Sequence, residues 1–193
     1  MKETLGQPKT ATEQPKAAWE KTMSPEEQLK ETRQAVKKSL DKLDELMYIL
    51  NRSTKDGFDT RALDFSNLKT KYLAAKVELL STMRKMSELG VKMDEKTINK
   101  YSDELGIKEY PKSKKQYALG EGPEAAIEDI KLFTEDAMEL LSKIKAMQAI
   151  AKDEKINING ISFERASKRY KLAGDSVDDA EEKIFNLEIR KAS

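Results

Sequence analysis

AIEDIKLFTEDAMELLSKIKAMQAIA, residues 126–151, is the stretch that decides the fold class. Ala126, Ile130, Phe133, Ala137, Leu140, Ile144, Met147 and Ala151 follow one another in alternating steps of four and three. That spacing keeps all of them on one stripe of an α-helix. FERASKRYKLAGDSVDDAEEKIFNL, residues 163–187, keeps the same rhythm through Phe163, Ala166, Tyr170, Ala173, Val177, Ala180, Ile184 and Leu187. Alanine recurs in both stripes, and small seam residues let helix axes approach closely. These two helices are therefore expected to pair tightly with each other.

Upstream the rhythm is looser. Ser24, Pro25 and Glu27 form a helix start: a capping serine, a proline in the first turn, and a glutamate placed to complete a capping box. Leu29, Val36, Leu40, Leu43, Met47 and Leu50 then share a face, with Arg33 as polar intruder, up to an end near Asn51. After the connector at residues 52–59, a second helix is expected from about Thr60 to Gly90. Its seam reads Phe65, Leu68, Tyr72, Ala75, Leu79, Thr82, Met86 and Leu89. A third helix should run from Pro123 to about Lys152. A fourth, capped by Ser162, should continue to about Arg190, because Gly174 and Asp175 interrupt its composition but not the phase of its stripe. Short links between helices of similar length predict antiparallel neighbours.

The expected fold class is all-α. Two antiparallel helical hairpins, residues 24–90 and 123–193, would form a four-helix bundle or an elongated coiled coil. Between them, residues 91–122 hold a small helix over Glu95–Leu105 and an irregular basic segment, IKEYPKSKKQYALGEG (residues 107–122). Residues 1–23 are polar, carry Pro8 and Pro15, show no periodicity, and read as a disordered tail.

Composition narrows the function further. Of 193 residues, 37% are charged and 6% aromatic, which suits narrow, solvated helix seams better than a deep core. With 36 basic and 35 acidic side chains the net charge is +1, so no global field steers the chain to nucleic acid or an anionic membrane. The chain has no cysteine and no histidine, which removes thiolate metal sites, disulfides and the commonest general base. No run approaches a membrane span, and residues 1–23 lack the apolar core of a cleavable signal peptide.

Several segments imitate chemical motifs. Lys155 to Gly160 resembles the middle of an EF-hand loop, yet the positions that should carry acidic ligands are Lys155 and Ala166. An asparagine-rich turn fits better. Asp175, Asp178, Asp179, Glu181 and Glu182 make an acidic cluster, read as a solvated face or a dock for a basic partner. Gly120 to Pro123 lacks the lysine and hydroxyl of a phosphate loop and reads as a helix start. The candidate interaction residues are Trp19, the one bulky apolar group of the tail, and Tyr110, Lys112, Lys114, Lys115 and Tyr117, the basic patch with aromatics beside it. No catalytic residue, cofactor site or metal site is expected.

These readings converge on a non-enzymatic structural protein acting through coiled-coil faces. Its expected partners are other proteins, including a second copy of itself, rather than nucleic acid. An alternative is an exported coiled-coil component of a bacterial secretion system. Long helices, a polar N-terminus, absent cysteine and a small inserted segment look similar in architecture to type III needle-tip or filament proteins, with no family motif present. The expected location is cytoplasmic, or secreted without a cleavable signal peptide.

Overall fold

The computed structural model describes residues 23–93 and 122–192. Trp19, Tyr110, Lys112, Lys114, Lys115, Tyr117 and the expected helix over Glu95–Leu105 lie outside the described residues. Within them there are four α-helices and no strand: α1 (Pro25–Lys55), α2 (Ser66–Glu88), α3 (Pro123–Asp153) and α4 (Glu164–Ala192). They form a four-helix bundle whose core holds Leu43, Leu50, Tyr72, Leu79, Ile130, Ile144, Phe163 and Val177, all fully buried.

Helix ends follow local chemistry. The α1 capping box forms as read: the Glu27 N–H donates to Ser24 Oγ (3.2 Å), and the Ser24 N–H donates to Glu27 Oε2 (2.8 Å). Its C-terminus lies one turn beyond the expected Asn51, because Gly57 (φ 79°) lets the Phe58 N–H reach back to Ser53 O (3.0 Å). Between α1 and α2 the expected helix start at Thr60 is only a short 3₁₀ turn, Thr60–Ala62. Two aspartates divert the backbone there: Asp59 accepts from the Arg61 N–H (3.1 Å) and Asp64 from the Ser66 N–H (2.8 Å). Gly174 does not break α4, which is continuous.

Pairing is where the bundle departs from the expected hairpins. Contacts between α1 and α4 join Thr32 to Phe163, Ser39 to Tyr170, Lys42 to Asp178 and Arg52 to Glu188, so the two helices run parallel. Lys69–Asp129 and Lys76–Asp136 make α2 and α3 parallel as well. Lys131–Asp44 and Gln148–Pro25 set α1 antiparallel to α3, and Glu78–Arg169 with Lys71–Ser176 sets α2 antiparallel to α4. Around the bundle the order is α1, α4, α2, α3. The two helices of each expected hairpin, α1 with α2 and α3 with α4, are antiparallel but stand on the diagonals. The alanine stripes of α3 and α4 therefore pack mainly against α1 and α2 instead of against each other.

This arrangement explains the α1 seam. Its buried stripe is Leu29, Thr32, Val36, Ser39, Leu43, Leu46, Leu50 and Ser53, a faultless alternation of three and four. Arg33, Leu40 and Met47 sit on its half-buried shoulder instead. Hydroxyls are tolerated in the seam because each finds a partner. Thr32 Oγ1 donates to Gln28 O (2.8 Å), Ser39 Oγ to Tyr170 O (3.3 Å) and Ser53 Oγ to Glu188 Oε1 (2.7 Å). Small seam residues also admit α4 closely; a Cβ on Gly174 would stand 3.6 Å from Ser39 Oγ. At the end of α2, Leu89 is exposed and Val91 takes the core position beyond the Gly90 turn.

Candidate interaction surface

A concavity with an apolar floor lies between α1 and α3. It encloses about 590 Å³, with Leu29 and Met138 at its floor and Lys30, Arg33, Lys37 and Lys145 around it. Lys30, Arg33 and Lys37 recur at i, i+3 and i+7, so they form one stripe along the shoulder of α1. Lys145 faces them from α3. Among the described residues these four cations have no ion-pair partner, whereas the cations at other helix contacts do. Glu26 and Glu27 stand at the end of the groove, and Glu27 is engaged in the cap. Cationic stems over an apolar floor cover hydrophobic surface while their heads stay in water, which is chemistry for an acidic, amphipathic surface.

The second surface is the outer side of α4. Asp175, Asp179 and Glu182 are exposed along it at i, i+4 and i+7. Two of the acidic cluster are used inside the bundle. Asp178 accepts from Lys42 Nζ (2.5 Å), and Glu181 turns inward, leaving its Oε1 buried and without a partner. Burial, then the neighbouring Glu45 and Asp178 carboxylates, push the Glu181 carboxyl above its ordinary range, with Lys42 opposing. Among the described residues no group of three or more acidic side chains converges on a point where it would hold a metal ion.

In the core, Tyr72 and Tyr170 meet edge to face at 6.3 Å. Burial pushes the Tyr72 phenol up to about 12, with Ser39 opposing, and Tyr170 higher still. Both remain protonated at physiological pH. The EF-hand lookalike is a turn: the Asn159 N–H donates to Asn157 Oδ1 at 3.0 Å, and Lys155 holds the left-handed position that closes α3. No described helix is long and apolar enough to cross a membrane.

The cationic stripe of α1 was present in the sequence as three residues at helical spacing. Lys145 could be joined to it only once α3 stood beside α1. No protein-family model, curated protein or solved structure matches this chain.

Proposed function

We propose that this chain is a non-enzymatic helical interaction protein that works through the outer faces of its bundle. The observation that carries the reading is the groove between α1 and α3, where four cations without an ion-pair partner among the described residues flank an apolar floor. Elsewhere among the described residues charge meets charge across the helix contacts, so cations without an ion-pair partner there, with half-buried Met138 between them, suit an external acidic one. A pull-down from native extract tests this with the parent chain and with Lys30→Gln/Arg33→Gln/Lys37→Gln. The expected result is a protein retained by the parent at near-stoichiometric level and lost by the variant. Identical retention by both would overturn the reading.

An exported component of a bacterial secretion apparatus is the second reading, supported by the polar residues 1–23 and the long helices on either side of a long connection. Uncleaved chain in culture supernatant, lost when residues 1–23 are deleted, is its expected signature.

A further inference from the structure

We infer that the occupant of the α1–α3 groove is the outer face of α4 from a second copy of this chain; this rests on, and specifies, the interaction reading above. The two surfaces are complementary in charge and in spacing. Lys30, Arg33 and Lys37 follow one another by three and then four residues. Glu182, Asp179 and Asp175, read backwards, do the same. Each set spans about 10 Å along its helix. When the two helices approach antiparallel, each cation meets a carboxylate, and Lys145 adds a positive charge from the far wall of the groove.

Apolar side chains accompany the charges on both sides, exposed on the α4 face and largely buried in the groove. Leu172 and Phe185 stand on the shoulders of the α4 face, 63% and 58% exposed. Leu29 and Met138 form the floor of the groove. Nothing inside the bundle uses the acidic stripe: among the described residues Asp175, Asp179 and Glu182 have no ion-pair partner, in contrast to Asp178.

Groove and face occupy different surfaces of one molecule, so docking is heterologous. Each copy offers its α4 face to one neighbour and its groove to another, and association propagates into a ring or a filament unless a surface is blocked. With three charge pairs at its centre the contact weakens as salt screens it.

Sedimentation velocity of the full chain at high micromolar concentration tests the inference, with helicity checked by circular dichroism. The parent is expected to form species larger than a dimer at about 0.02 M salt and to shift towards monomer at about 0.5 M. The groove variant Lys30→Gln/Arg33→Gln/Lys37→Gln and the face variant Asp175→Asn/Asp179→Asn/Glu182→Gln should each be monomeric. Mixed in equal amounts, they should form a dimer that stops there, since the pair retains one intact face and one intact groove. A parent that sediments as a monomer overturns the inference, as does an oligomer indifferent to both sets of substitutions or a mixture that stays monomeric. A monomer that still captures a different protein through the groove also overturns it, while leaving the broader interaction reading standing.

Discussion

Lys155 occupies a backbone position that α1 and α2 give to glycine. All three helices end with the amide two residues past the cap reaching back to a carbonyl: Phe58 to Ser53, Val91 to Met86 and Ile156 to Ala151. The intervening residue needs positive φ, supplied by Gly57 (79°), Gly90 (98°) and Lys155 (55°). A side chain there costs about 1–2 kcal/mol, and glycine's extra freedom in the unfolded chain returns about 0.5–1 kcal/mol of that. Lys155→Gly is therefore expected to stabilise the protein by about 0.5–1 kcal/mol, read as a higher urea midpoint at unchanged slope; a lower midpoint contradicts this account. Glu181 carries a pH dependence. Its carboxyl is raised in the folded state, so folding favours the protonated form, and stability falls as pH rises from the ordinary glutamate range through the raised value. Glu181→Gln should raise stability at neutral pH by less than about 1 kcal/mol. The gain in thermal midpoint over the parent should shrink towards zero below the ordinary glutamate range, and a gain independent of pH would show that the charge is not its source.

At the scale of the element, the helix starts differ in how far they could be read from sequence. Ser24, Pro25 and Glu27 act on one another within a single turn, so their pattern sufficed. The start of α4 is a tertiary object. Ser162 Oγ accepts from the Glu164 N–H (3.3 Å) as expected, but the Phe163 N–H donates to Gln28 Oε1 of α1 (2.8 Å). The same side chain donates from Nε2 to Met23 O (2.9 Å), tying the entrance of α1 to the entrance of α4. Gln28→Ala removes both and should cost about 1–2 kcal/mol. Loss of hydrogen-exchange protection should concentrate at the first turn of α4; protection unchanged there would mean that Ser162 alone caps the helix. The α1 seam shows the opposite limit. Leu40 and Met47 look more like seam residues than Ser39 and Ser53 do because they are apolar, and Arg33 shares their phase. The hydroxyl residues won since α4 runs alongside and offers them Phe163 O, Tyr170 O and Glu188 Oε1. The candidate groove was half legible for the same reason: α1 contributes a stripe, and its far wall comes from residues more than a hundred positions away.

For the whole molecule, the diagonal placement of α1 with α2 and of α3 with α4 has a consequence for folding. α1 and α2 bury their stripes against α3 and α4, and only slightly against each other. The connections of about ten residues at 56–65 and 154–163 are longer than those that usually join adjacent antiparallel helices, as a diagonal crossing requires. Since α2 and α3 are parallel, Met93 and Gly122 lie at opposite ends of a bundle whose shortest helix, of 23 residues, is about 35 Å long. Fragments 23–93 and 122–193 should each be largely unfolded alone and regain helicity when mixed, measured by circular dichroism at equal molar ratio. A fragment that folds alone as a monomer would refute the diagonal arrangement. By itself the sequence determined that the chain makes long helices, where most of them begin and end, and which side of each is apolar. Those properties follow from side-chain period and capping within a few residues. Which helices became neighbours was decided only in the tertiary structure. Four apolar stripes of similar length can be packed in several orders at nearly equal burial, and the choice was made by long-range pairs such as Lys42–Asp178, Lys69–Asp129 and Glu78–Arg169, together with hydroxyls that needed a parallel α4.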